Sequence, residues 1–373
     1  MIFNAQGLKA IGDPANRNVN WFLANDIDLA EESGAWDGPD GYTGTFNGNG
    51  KTINGLKLTR TDSDTGLFDS LGEGATVENF TVKVSTPTPL SIAANVHFGG
   101  IIGIVNVGGN PTKFITLKNI RVEGTLKYSG LSTNSWLIVG GFLGEVKGGS
   151  KVNIEKCVSA INVEANLTND NSAGNYDAAV GGFIGKLFGG TVNITDSYST
   201  GNVLLNNSGN RNSAAGGFIG ALGNSNMYGE TGTIEIKNSY SAVIADVRVN
   251  GNRPAAVGGL VGGSQNVTVN LHNSVALNES INATGSGTIY TGRVIGMPTG
   301  VTLDDNYANS AMKINNAAVN DETDEDATKA KKHGEGKALS DMNKAFWTGL
   351  GFSEAIWDFT GLNVASGIYP KLK

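Results

Sequence analysis

Cysteine occurs once, at Cys157, histidine three times and proline only eight times in 373 residues. A single thiol excludes an internal disulfide framework and a four-cysteine metal site. Charged residues are only 16% of the chain, and its net charge of −7 is spread thinly. No Lys/Arg stripe follows a phosphate backbone, so nucleic acid is not an expected partner. No run of about 18 apolar residues exists, so no helix is expected to insert in a membrane. The chain does not open on a basic stretch followed by an apolar one. Its first residues, Met1 to Pro14, read as a short capped helix, and export would imply a leader already removed.

Glycine is abundant instead, at 54 residues, about twice its ordinary share. There is no G-X-Y period, which excludes collagen, and 39% apolar content is too high for a disordered linker. The glycines fall in a repeated motif. Its second glycine position is held by Gly66, Gly100, Gly141, Gly182, Gly217 and Gly259, and by Arg293 in the last copy, with spacings of 34 to 42 residues. Periods of that length belong to solenoids and propellers.

A second column keeps step with the first: Asn79, Asn119, Lys156, Asp196, Asn238, Asn273 and Asp305, three of them opening Asp/Asn-Ser-Tyr or Asn-Ser-Val. Short alternating runs lie between, such as "TVNITDSYST" and "TIEIKNSYSA", rich in Val, Ile, Thr and Tyr. Each copy therefore reads as three short strands and turns. A propeller blade would need four antiparallel strands with hairpin turns, whose signals are weak here. Small residues at regular intervals suit stacked coils. The expected fold is all-β, a right-handed parallel β-helix (solenoid) with short N- and C-terminal capping segments. The Asn/Asp column is expected to form a ladder that satisfies turn backbone groups from coil to coil.

"GGFLGEV", "GGFIGKL", "GGFIGAL" and "GGLVGGS" resemble the GLUG repeat. The opening stretch, which contains "WFLANDIDLA" and "YTGTFNGNGKTINGLKLT", resembles the segment that leads into such repeats, and "FWTGLGFSEAIWDFTGLNVASGIYPKLK" resembles the one that closes them. The resemblance implies a bacterial secreted or cell-surface protein, adhesin-like, or the non-catalytic repeat region of an immunoglobulin A peptidase. The family's peptidases are zinc enzymes using H-E-x-x-H, two His on one helix face with Glu as base. Here His97, His272 and His333 each lack a second His four residues on, so zinc proteolysis is not expected.

The expected organisation is an N-terminal cap and first coil over 1–63, the repeat β-helix over 64–312, a charged loop over 313–338 and a C-terminal cap over 339–373, with Ser340–Trp347 a short helix. The acidic run at 320–337 lacks the spaced D-x-[DN]-x-[DN]-G calcium pattern and reads as a solvated loop. No metal or cofactor is expected. Hydrolysis would need a pair of carboxylates about 5 to 9.5 Å apart. Asp196 has Lys156 and Asn238 as column neighbours, and Asp26 and Asp28 read as turn and cap residues.

Counting five residues back from each glycine pair gives Ser135, Tyr176, Arg211 and Arg253, with Trp136 adjoining Ser135. Trp136, Tyr176, Arg211 and Arg253 are the candidate ligand-binding residues. Aromatic faces suit apolar sugar faces, and Arg donates several hydrogen bonds in a plane; the alternative is a stacked cation–π pair. The expected function is a non-catalytic, monomeric binding module at the bacterial surface whose partner is a host glycoprotein or glycan. The alternatives are a carbohydrate-active β-helix enzyme and a spacer.

Overall fold

The computed structural model describes residues 1–32, 34–86, 88–92, 96–131, 136–167, 177–208, 212–223, 232–249, 253–321, 323–328 and 330–373. Across these residues the chain is all-β apart from short helical turns, and its strands form long parallel sheets, consistent with the expected β-helix. Strands pair with their counterparts one repeat away. Leu137–Gly140 lies between Val96–Gly99 and Asp177–Gly181, both parallel, and Leu143–Val146 lies between Ile102–Val105 and Ile184–Leu187. The first series builds a six-stranded sheet, the second a seven-stranded sheet, and the remainder of each copy joins a third, broad sheet.

Register follows from alternation. In the broad sheet Val152, Val192, Ile234 and Val269 align, as do Ile154, Ile194, Ile236 and Leu271. All eight are buried in one continuous core. Each contributes roughly 1.5 to 3 kcal/mol by burial. A one-residue slip would turn the whole set outward.

The glycine pairs make the bend between the two short sheets. A Cβ on Gly140 would stand 1.9 Å from the Leu143 carbonyl oxygen, and one on Gly141 would stand 2.2 Å from that of Gly182. Only a residue without a side chain lets the backbones approach so closely. Beside the bend Phe142, Phe183 and Phe218 stack, ring centroids 4.7 Å apart.

The Asn/Asp column carries part of the expected ladder, since Asn119 Nδ2 donates to Asn79 Oδ1 at 3.0 Å and Asn238 bonds the Asp196 carboxylate, and it has a second, backbone cause. Asn79, Asn119, Lys156, Asp196, Asn238, Asn273 and Asp305 all have φ between 48° and 62°. Left-handed backbone favours Asn and Asp among residues with a side chain, because their short polar groups bond locally. A second ladder, of hydroxyls that accept backbone N–H groups, runs one residue later. The backbone N–H of Cys157 donates to Ser197 Oγ, that of Ser197 to Ser239 Oγ, that of Ser239 to Ser274 Oγ and that of Ser274 to Asn306 Oδ1, at 3.1 to 3.4 Å.

The N-terminal helix Ala5–Lys9 is capped by Asn4, whose Oδ1 accepts from Gly7 N–H at 2.9 Å, and it buries Leu8 in the main core. At the other end a 3-10 turn at Leu339–Asp341 precedes the helix Lys344–Gly349, so the expected single helix is split. Residues 339–373 lie along the flank of the broad sheet. Trp347, Phe352 and Trp357 form a second core with Val158, Tyr198, Tyr240 and Val275. Tyr198 and Tyr240 stack at 4.6 Å, Trp357 Nε1 donates to Asp196 at 3.0 Å, and the Tyr240 hydroxyl donates to the Pro370 carbonyl at 2.6 Å.

The stretch at 313–338 also joins the stack. Glu335–Lys337 pairs in parallel with Tyr307–Asn309, and the Lys332 carbonyl accepts from Val294 and Ile295. Arg293 is enclosed beneath it, donating to the carbonyls of His333 and Gly334 at 3.1 and 3.0 Å and pairing with Asp321.

Candidate functional site

The two short sheets face one another and diverge from the glycine bend, leaving a wedge-shaped cleft. Two columns line it. One runs His97, Ile138, Ala179, Ala214, Ala256, Tyr290; the other runs Ile104, Glu145, Lys186, Ala221, Gly263, Met297. They meet across the gap: His97 Nε2 lies 2.9 Å from Glu145 Oε2, and a Cβ on Gly263 would lie 3.2 Å from Ala256 Cβ.

Side-chain size divides the cleft. At its N-terminal end it is filled by charge. His97 Nδ1 bonds Asp64 at 2.6 Å, and Glu145, fully buried, faces His97 with Lys147 3.7 Å away. Burial pulls His97 down, but the hydrogen bonds and charges of Asp64 and Glu145 outweigh it and hold its pKa at about 9. The imidazole is therefore a cation at neutral pH. One coil further on, the buried Lys186 ammonium sits over the rings of Trp136 at 4.8 Å and Phe188 at 5.2 Å, as cation–π pairs.

Beyond Lys186 the bulk is withdrawn. Ala179, Ala214, Ala221, Ala256 and Gly263 leave a hollow of about 400 Å³, closed at the far end by Tyr290 and Met297. That volume falls in the range of small-molecule sites. Arg253, Asn212 and Gln265 stand along it, whereas Ser264 aligns with Leu222, Leu187 and Val146 on the core face of its strand.

The strands that follow the expected binding row are in register through Gly140, Gly181, Gly216 and Gly258. Trp136 and Arg253 both stand beside the cleft, the first over Lys186 and the second at the hollow. Tyr176, Arg211 and Ser135 lie outside the described residues. The cleft itself was not read from the sequence. Its signal was there: Glu145 and Lys186 interrupt otherwise apolar strands at one repeat position.

Other candidates resolve more simply. Asp28 Oδ1 accepts from Ala30 N–H, the turn role expected of it, whereas Asp26 Oδ1 accepts from Thr52 N–H, 26 residues on in the neighbouring strand. His272 pairs with Glu235. The Cys157 thiol is buried, with its pKa pushed up to about 12 by desolvation, and is unreactive. Asp324, Asp326 and His333 place ligand atoms within 4.8 Å of one another. However, His333 Nδ1 accepts the Arg293 backbone N–H at 3.2 Å. Neutral imidazole then keeps its proton on Nε2, the atom facing Asp324, which leaves no lone pair there for a metal.

A recess of Asp37, Asp40, Asp64 and Asp69 with Arg17 and Arg60 adjoins the first coil. Arg60 bridges Asp37 at 2.7 Å and Asp69. Burial outweighs Arg60 and lifts Asp69 to about 7, with one carboxyl oxygen unpartnered.

No family model matches this sequence. The fold is shared with solved structures. One, described as a candidate immunoglobulin A1 protease from Bacteroides ovatus, is 19% identical at a TM-score of 0.56, over 100% of this chain and 91% of that one. Another, described as an IgA1 protease, is 18% identical at a TM-score of 0.53, over 84% of this chain and 21% of that one. Among curated proteins, Halomucin of Haloquadratum walsbyi is 31% identical over 90 aligned residues, 18% of this chain; the match spans 1% of that protein's length.

Proposed function

We propose that the chain is a secreted or cell-surface bacterial binding module, adhesin-like and non-catalytic, built as a right-handed parallel β-helix of GLUG-type repeats. It presents Trp136 and Arg253, which stand beside the cleft, together with Tyr176 and Arg211 of the same sequence row, to a host glycoprotein or glycan. The observation that carries this reading is the register of the strands behind the row, which spaces equivalent positions about 4.8 Å apart. Weak contacts repeated along such an edge gain by multivalency. Similarity to chains described as IgA1 proteases and to Halomucin supports an extracellular setting. The sequence contains no H-E-x-x-H, so this reading assigns the chain no zinc-peptidase chemistry.

The test is an array of glycans, mucins and immunoglobulin A, probed with the protein and with a variant carrying Ala at Trp136, Tyr176, Arg211 and Arg253. Binding lost by a still-folded variant supports the reading; silence from both proteins removes the row and favours a spacer.

The acidic recess favours a second reading, a carbohydrate-active site. A carboxyl that holds its proton near neutral pH, beside other carboxylates, is what general-acid hydrolysis requires. Release of reducing ends from polysaccharides, abolished in Asp69→Asn, would establish it, and no release would dismiss it.

A further inference from the structure

We propose that the last strand of the six-stranded sheet, Ile289–Gly292, is a docking edge for an extended basic peptide that adds one parallel strand to it, a partner distinct from the glycan of the preceding reading. The sheet is closed at its first strand and open at its last. Beside Val96–Gly99, Thr65 N–H donates to the His97 carbonyl and the Thr65 carbonyl accepts from Gly99 N–H. Ile289–Gly292, by contrast, pairs with Ala255–Gly258 on one side only. Because Ala255, opposite Ile289, donates its N–H to the Thr288 carbonyl, the N–H and C=O of Ile289 and Thr291 point away from the sheet. None of these four groups has a partner among the described residues. Exposed edges are ordinarily guarded by charge, proline or a covering segment. The other two sheets obey: Glu335–Lys337 covers Tyr307–Asn309, and Ile295–Pro298 ends in proline and gives its Ile295 N–H to the Lys332 carbonyl. Ile289–Gly292 carries neither charge nor proline, and its first three residues favour strands.

The surroundings of the edge select the partner. Ile289 continues the core column of Leu137, Ala178, Ser213 and Ala255, and Thr291 continues that of Val139, Val180, Ala215 and Val257. An added strand therefore sets alternate side chains against the end of the main core, where Val301 and Ile314 are only partly covered. Those two positions take apolar groups. A recess of about 680 Å³ lies beside Thr291, with Ile314, Ala317 and Val319 on its apolar side. Its other side is acidic. Lys332 pairs with Asp326 at 3.1 Å, and burial pulls His333 below its ordinary range and leaves it neutral at pH 7, so Asp324 and Glu325 set the charge of the recess. Lysine or arginine next to the apolar positions complements that charge. The Lys332 carbonyl limits the length of pairing: it stands 2.8 Å from where a Cβ on Gly292 would lie, so the added strand leaves the sheet after Thr291. Backbone pairing with pockets for alternate side chains is the general mode by which sheet edges take up peptides.

The probe is acetyl-Lys-Val-Lys-Val-Gly-Lys-amide, titrated by calorimetry into the whole chain, with amide hydrogen exchange over residues 288–292 reporting where it binds. The expected Kd is on the order of 0.1 mM, with exchange at Ile289 and Thr291 slowed. Methylating the backbone nitrogens of the second lysine and the glycine removes the donors that a parallel strand would aim at Ile289 and Thr291. It keeps every charge and side chain, and is expected to weaken binding at least tenfold. Glutamate in place of the three lysines should do the same, and Asp324→Asn/Glu325→Gln should weaken the basic peptide about three- to tenfold. Thr291→Pro, a change that an edge strand accommodates, should lose binding at least tenfold while circular dichroism stays unchanged. No binding by the wild-type chain, equal binding of the methylated or the glutamate peptide, or binding that leaves exchange over 288–292 unaltered overturns the proposal. A dimer in sedimentation that Thr291→Pro abolishes would assign the edge to a second copy of the chain and overturn it as well.

Discussion

The tyrosine flank and the cleft are built by the same device and have opposite fates. On both, one repeat position recurs coil after coil and aligns its side chains. On the flank, Tyr198 and Tyr240 are covered by Trp347 and Trp357 of the C-terminal segment, and the ladder beneath them is closed by hydrogen bonds. In the cleft, the N-terminal half is filled by His97, Glu145 and Lys186, while the middle stays hollow. A repeated column is therefore structural or available according to what covers it, and the motif alone does not distinguish them.

That contrast is broken most severely at Trp357. Trp357→Ala should cost about 3 to 5 kcal/mol, because it removes a fully buried ring and the donor to Asp196. Denaturant unfolding should show either a lower midpoint or a separate early transition of the C-terminal segment; an unchanged curve would refute the cover.

The charged half of the cleft predicts pH dependence. His97 keeps its proton in the folded chain up to about 9, whereas an unfolded histidine loses it near 6.5. Its stabilisation is fully present below pH 6.5 and is lost as pH rises through 9, by on the order of 3 kcal/mol. Glu145→Gln should move that loss to lower pH in unfolding titrations from pH 6 to 9.5.

Smaller effects sharpen the comparison. Lys156 holds left-handed backbone in a column otherwise made of Asn and Asp. Lys156→Asn should raise stability by about 0.5 to 1 kcal/mol, read as a higher melting temperature. Filling the hollow with Ala221→Ile should leave stability unchanged or raise it by up to about 1 kcal/mol, since Ile104 occupies the same column. Arg253→Ala should change stability by less than about 0.5 kcal/mol. A large loss there would make the cleft as structural as the flank.

The repeat, its parallel stacking and the bend at each glycine pair were legible because they depend on local rules: alternation, β-branched content and the need for a residue without a side chain. The Asn/Asp column was legible as a position and as part of a ladder, but its left-handed φ was not, since the two roles favour overlapping residue types; the backbone N–H groups are taken up by Ser197, Ser239 and Ser274 one residue on. Trp136 and Arg253 were found by counting back from the glycines, which locates an edge but not what the edge borders. The cleft, the recess around Asp69 and the covered flank join residues from different coils, or from chain ends far apart, as Asp196 and Trp357 are. Sequence by itself determined which residues repeat, because spacing and backbone preference are written along the chain. Tertiary structure alone decided which repeated columns are filled, covered or left hollow, because that depends on the volumes of side chains brought face to face by stacking.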